Sequence, residues 1–83
     1  MERTEIQHLI MGEIKKVRKD MPDFIPPDDQ LMQQWGFESI DMVELVARAE
    51  QYFKVEIADS IWKQLTTVNA MSDYIYENIN TGR

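Results

Sequence analysis

Apolar residues recur at spacings of three and four along most of the chain, and this period predicts amphipathic α-helices. Regular alternation of apolar and polar residues, which is typical of β-strands, is absent. The pattern therefore predicts an all-α fold, a four-helix bundle whose third helix is short. In chain order, the predicted helices are residues 4–19 with Thr4 as the N-cap, a helix from Ser39, residues 60–64 with Asp59 as the N-cap, and a helix capped by Thr66 or Thr67.

A long loop is predicted between the first and second helices, because three prolines follow the first helix. Within this loop, Leu31 and Trp35 lie four residues apart, so they face the same side of a short helical turn. Asp28 or Asp29 is expected to cap that turn. We expect the two large side chains to anchor the loop to the core, beneath Ser39.

The second predicted helix carries more apolar surface than one core-facing stripe requires. One stripe consists of Leu45, Val46, Ala49 and Phe53, and a second beside it, here called the apolar strip, consists of Ile40, Val43 and Ala47. The apolar strip is flanked by Asp41, Glu44 and Arg48, so we expect it to be at most partly buried. An exposed apolar strip with a charged rim is typical of a docking surface.

A glycine turn places one serine at the start of this helix. Gly36 can adopt the left-handed backbone conformation that a tight turn requires. Ser39 then falls at or beside the N-cap, with its hydroxyl near solvent. Glu38 and Asp41 lie where the helix dipole favours negative charge.

This segment resembles the acyl carrier proteins, which have a glycine, one variable residue and then Asp-Ser-Leu at the start of their second helix. The matching residues are Gly36, Ser39, Asp41 and residues 43–46, and the resemblance continues at Phe53, residues 56–57, Asp59, residues 65–68 and residues 73–75. It covers about the last two thirds of the chain. Glu38 and Ile40 stand where the family has aspartate and leucine.

The resemblance implies a carrier without catalytic residues of its own. Ser39 would hold 4'-phosphopantetheine through a phosphodiester, and acyl groups would travel on it as thioesters for fatty acid, polyketide or another specialised acyl pathway. The implied partners are a phosphopantetheinyl transferase and acyl-loading, synthase or acyltransferase enzymes with basic docking surfaces. The residues expected to dock them are Glu38, Ile40, Asp41, Val43, Glu44, Ala47 and Glu50.

Composition agrees with a small acidic carrier. The chain has 83 residues and a net charge of -6, which favours basic partners and disfavours nucleic acid. Without cysteine, any thiol must come from a prosthetic group. His8 is the only histidine, so no metal site is expected. No apolar run is long enough to span a membrane. We expect one domain over residues 1–83, a monomer and a cytoplasmic location.

Three other interpretations of the turn and serine compete with a carrier. Taken alone, Ser39 could be a plain helix cap. The turn, the serine, the helix with two apolar stripes and the caps of the later helices follow in one run, however, and this order favours a carrier. A serine hydrolase would need a base beside Ser39, and the sequence around it lacks the hydrolase glycine elbow. An unmodified helical adaptor would dock through Ile40, Val43 and Ala47, and it remains the alternative.

Overall fold

Five α-helices form the fold in a computed structural model, which describes residues 1–81 and their side chains as far as residue 79. Their bounds are α1 Arg3–Val17, α2 Leu31–Trp35, α3 Ser39–Phe53, α4 Asp59–Trp62 and α5 Val68–Thr81. No strand occurs within these residues, so the predicted all-α bundle with its short helix before the last is confirmed. The addition is α2, which is the helical turn expected inside the long loop.

The predicted caps of α1 and α4 are wrong by one or two residues. The first carbonyl to accept a helical hydrogen bond lies two residues before the predicted cap of α1 and one residue before that of α4. The N–H of Ile6 donates to the carbonyl of Glu2 and the N–H of Trp62 to that of Ala58, each at 3.1 Å. Glu2 is the N-cap of α1, and its N–H donates to Oε1 of Glu5 at 3.1 Å in a capping-box arrangement. Ala58 is the N-cap of α4.

The caps of α2 and α5 are also resolved. Gln30 caps α2, because its carbonyl accepts the N–H of Gln34 at 2.8 Å and its own N–H donates to the Gln34 side chain at 2.7 Å. The expectation of Asp28 or Asp29 is therefore wrong. At α5, Oγ1 of Thr67 accepts the N–H of Ala70 at 3.0 Å, which identifies Thr67 as the cap.

The core lies where α1 packs against both α3 and α5. The predicted core stripe of α3 is buried, and Met42 joins it at 1% exposure. Each long helix contributes side chains that are at most 1% exposed, namely Ile6, Ile10 and Ile14 from α1, Met42 and Leu45 from α3, and Val68, Met71 and Ile75 from α5. The loop and the short helices are attached to the core that these three helices form.

The loop of residues 18–38 is fastened to the start of α5 by two backbone hydrogen bonds. The N–H of Leu31 donates to the carbonyl of Thr66 at 3.1 Å, and the N–H of Asn69 donates to the carbonyl of Pro27 at 2.9 Å. Leu31 is fully buried, whereas Trp35 is only partly buried against the core. The expected anchor is confirmed for Leu31, and Trp35 is a lesser contact than predicted.

Candidate functional site

The turn before Ser39 is held by its backbone and by one buried ring. Gly36 ends α2 in the left-handed conformation, with φ 74° and ψ 18°, and its N–H donates to the carbonyl of Leu31. The N–H of Phe37 donates to the same carbonyl at 3.1 Å, and the Phe37 side chain is only 3% exposed. A Cβ on Gly36 would meet open space, so glycine is favoured there by the backbone conformation and not by a close neighbour.

Ser39 is the first residue of α3 and its side chain is exposed. Glu38 is the N-cap, and its N–H donates to Oδ2 of Asp41 at 2.9 Å. The N–H groups of Ser39 and Ile40 find no acceptor within residues 1–81, as is usual in the first turn of a helix. An accessible hydroxyl beside free N–H groups, at the positive end of the helix dipole, fits a covalently attached phosphodiester, whose charge is negative.

Arg18, directly after α1, contacts residues that come before and after Ser39 in the sequence. Its Nη1 donates to the carbonyl of Gly36 at 2.7 Å and lies 3.5 Å from Oδ2 of Asp41. Its guanidinium carbon lies 6.0 Å from the centre of the Phe37 ring. These interactions could not be predicted from the sequence, because Arg18 lies 18 positions from Gly36 and 23 from Asp41, and contacts over such distances produce no periodic pattern.

Asp20 holds the other edge of the Arg18 guanidinium. Its carboxylate accepts hydrogen bonds from Nε at 3.3 Å and from Nη2 at 3.1 Å. The hydrogen bond to Asp20 raises the pKa of Arg18, and the same bond lowers the pKa of Asp20 below its ordinary value. Both groups are therefore charged across the neutral range.

The apolar strip is exposed, as predicted. Ile40 is 71% exposed and Val43 is 51% exposed, and Ala47 is exposed beside them. Val43 and Ala47 also line a groove whose far wall includes the partly buried side chain of Trp62. Trp62 therefore contacts both the core and this surface groove.

The acidic residues expected to dock partners have different surroundings. Glu38 and Glu44 are exposed, and Glu44 accepts a hydrogen bond from Nε of Arg48 at 3.3 Å. Asp41 is only 18% exposed at its side chain and is engaged in the capping interaction. Glu50 accepts the N–H of Ile57 at 2.8 Å and so closes the connection between α3 and α4. Asp41 and Glu50 thus have structural tasks that their sequence positions did not reveal.

Residues 1–81 contain neither a metal-binding cluster nor a membrane-spanning helix. No group of three His, Asp or Glu side chains is placed to hold a metal ion in this part of the chain. None of its helices is both long enough and apolar enough to cross a bilayer.

Comparison with known proteins defines the class to which this fold and site belong. The family described as "Phosphopantetheine attachment site" matches residues 8–75. The chain resembles the mitochondrial acyl carrier protein of Saccharomyces cerevisiae, with 29% identity over 82 residues that cover 94% of this chain and 66% of that relative, just under two thirds. The acyl carrier protein of Campylobacter hominis is 36% identical over 62 residues, 75% of this chain and 77% of the relative.

A solved structure of the acyl carrier protein from Enterococcus faecalis has the same fold. Its TM-score is 0.77 at 27% identity, and the match covers 94% of this chain and 99% of that one. Residues 8–75 are thus a phosphopantetheine-binding carrier domain. The chain belongs to the acyl carrier protein family, whose members are carriers and not enzymes, and its cofactor is 4'-phosphopantetheine. Membership also implies contact with modifying and synthase enzymes.

Proposed function

We propose that Ser39 bears the 4'-phosphopantetheine and that the chain carries acyl groups for fatty acid, polyketide or another specialised acyl pathway. The observation that carries this proposal is the exposed hydroxyl of Ser39 on the first residue of α3, directly after the Gly36 turn. The bound group supplies a thiol on which an acyl group is held as a thioester, and the chain has no cysteine that could do so.

The other two serines of the chain are less suited to attachment. Ser72 is fully buried, and its hydroxyl donates to the carbonyl of Asn69 at 3.0 Å. Ser60 is exposed, but it lies in α4, which has only four residues. A helix that short has a much weaker dipole to stabilise a phosphodiester than the 15-residue α3 has.

The residues around Ser39 would receive the partner enzymes. Glu38 and Glu44 would steer basic surfaces towards α3, because exposed charges act at long range. The apolar strip of Ile40, Val43 and Ala47 would hold the docked partner, since desolvated apolar contacts contribute more binding energy than exposed ion pairs. Asp41 and Glu50 would contribute to the acidic field while they keep their internal hydrogen bonds.

The expected partners are a phosphopantetheinyl transferase and the enzymes that load, extend or remove the acyl group. Docking with each of them is weak and exchangeable, because a carrier held tightly by one enzyme cannot serve the next. We further propose that the chain acts as a single-domain monomer without nucleic acid, and that it is cytoplasmic. Because one relative is named mitochondrial, fractionation of source cells with an antibody to this chain is the test of the compartment.

The attachment site is tested by intact-mass measurement after incubation with a phosphopantetheinyl transferase and coenzyme A. Wild type should gain the mass of one phosphopantetheine. Ser39→Ala should remain unmodified and keep its far-ultraviolet circular dichroism spectrum. Ser60→Ala is the matched control, because it removes an exposed hydroxyl at the start of another helix, and it should be modified like wild type.

Modification of Ser39→Ala would move the attachment site elsewhere. Absence of modification in wild type, with a transferase that modifies a known carrier in the same reaction, would favour the unmodified adaptor. The exposed apolar strip supports that second candidate, because an adaptor would use the same surface without a prosthetic group.

A further inference from the structure

We propose that Arg18 is a positioning residue, which fixes the turn before Ser39 and the first turn of α3 in the arrangement that the modifying enzyme requires. This inference rests on the proposed attachment at Ser39. Arg18 lies one residue beyond the end of α1, far from Ser39 in the sequence.

The contacts of Arg18 bracket the serine on both sides. Before Ser39, Nη1 donates to the carbonyl of Gly36 at 2.7 Å and the guanidinium lies 6.0 Å from the centre of the Phe37 ring. After Ser39, the same Nη1 lies 3.5 Å from Asp41, whose carboxylate accepts the N–H of Glu38. The side chain that follows α1 therefore contacts Gly36, Phe37 and Asp41, which lie three positions before, two before and two after Ser39.

Apart from Arg18, the turn is held by the buried ring of Phe37 and by backbone hydrogen bonds to α2. The backbone bonds of Gly36 and Phe37 both end on the carbonyl of Leu31, which belongs to α2. These hydrogen bonds set the shape of the turn, but neither of them links it to α1. Arg18 supplies that link across the surface, and its side chain is 30% exposed.

The planar guanidinium is suited to this role because it donates in several directions at once. Nη1 faces Gly36 and Asp41, while Nε and Nη2 face Asp20. Asp20 therefore holds the guanidinium from the side opposite the turn. A lysine would keep the positive charge but could not maintain this fixed fork of donors.

The test compares the kinetics of modification in Arg18→Gln, Arg18→Lys and wild type, with the carrier as the varied substrate. Lys15→Gln is the matched control, because Lys15 is also a cation near the end of α1 and is paired with an aspartate, Asp23, but does not contact the turn. For Arg18→Gln we expect kcat to fall about tenfold, since misplacement of a reacting group slows chemistry steeply. KM should change less than about twofold, because the docking residues remain in place.

A second measurement separates positioning from general stability. Hydrogen exchange at the N–H groups of Phe37 and Glu38 should accelerate about tenfold in Arg18→Gln, while exchange in α1 and α5 should stay as in wild type. Arg18→Lys should behave like Arg18→Gln, because charge alone does not reproduce the fork. Lys15→Gln should match wild type in both measurements.

Several outcomes would overturn the inference. If Arg18→Gln is modified with the wild-type kcat, Arg18 does not position Ser39, although the attachment proposal stands. If Arg18→Lys restores kcat fully, or if exchange rises throughout the bundle, charge or general stability explains the effect. If wild type itself is not modified, both this inference and the proposed function fail.

Discussion

Truncation of Leu31 to alanine tests how the loop beneath Ser39 is anchored. Leu31 is fully buried, and its backbone groups bind Thr66 on one side and Phe37 on the other. The substitution leaves those backbone groups present, so the loss of stability reports mainly on the side chain. Trp35→Ala is the informative comparison, because Trp35 is larger but only partly buried, with Nε1 donating to Asp29 at 3.0 Å.

The expected magnitudes differ. Removal of a fully buried leucine side chain costs about 2–5 kcal/mol, and we expect about 3 kcal/mol for Leu31→Ala. At about 0.05–0.15 kcal/mol per residue, a chain of this length has a total stability of about 4–12 kcal/mol, so this is a large share. For Trp35→Ala we expect about 1–2 kcal/mol, since a partly solvated ring loses less apolar contact and its hydrogen bond contributes about 1 kcal/mol.

Urea denaturation followed by far-ultraviolet circular dichroism measures both values without relying on tryptophan fluorescence. With a urea slope of about 1 kcal/mol per molar, Leu31→Ala should lower the midpoint by about 3 M and Trp35→Ala by about 1–2 M. The reasoning is refuted if Trp35→Ala lowers the midpoint more than Leu31→Ala. In that case the tryptophan, and not the leucine, would anchor the loop.

Two further predictions concern docking and pH. Glu44→Lys should mainly slow association with the transferase and weaken the salt dependence of the association rate, whereas Val43→Asp should raise the dissociation rate at every salt concentration. Stopped-flow binding measures both rates. If both variants bind like wild type, the docking surface lies elsewhere. Because Arg18 lowers the pKa of Asp20 in the folded chain, their interaction stabilises the fold above the ordinary aspartate pKa, and this contribution disappears as the pH falls through the lowered pKa. The difference in melting temperature between wild type and Asp20→Asn should therefore be present at neutral pH and vanish in acid, and a difference that persists in acid would contradict the assignment.

The long helices could be predicted from the sequence because their apolar residues repeat with the helical period. The core stripe of α3 from Leu45 to Phe53 is an example, and so is the apolar strip beside it. The caps of α1 and α4 could not be located to the residue. A threonine and an aspartate are favoured as caps in general, but Glu2 and Ala58 have the extended backbone and the first ladder carbonyls.

Only those features of the site that depend on neighbouring residues could be predicted from the sequence. The left-handed conformation of Gly36 and the exposed position of Ser39 follow from residues that are neighbours in sequence. The interaction of Arg18 with Gly36, and that of Glu50 with Ile57, depend on how separate elements come together. The sequence does not show whether a charged side chain faces solvent or forms a hydrogen bond with a distant backbone group. These two interactions could therefore be identified only from the structure.

The fastening of the loop to α5 has a consequence for the order of folding. The hydrogen bonds from Leu31 to Thr66 and from Asn69 to Pro27 join positions 35 and 42 residues apart. Closing such large intervals of chain costs entropy, so these contacts are expected late on the folding route, after the long helices have met. The turn that presents Ser39 would then reach its final structure only when the start of α5 is in place. A chain still under synthesis would therefore offer its serine to a modifying enzyme only after α5 has left the ribosome.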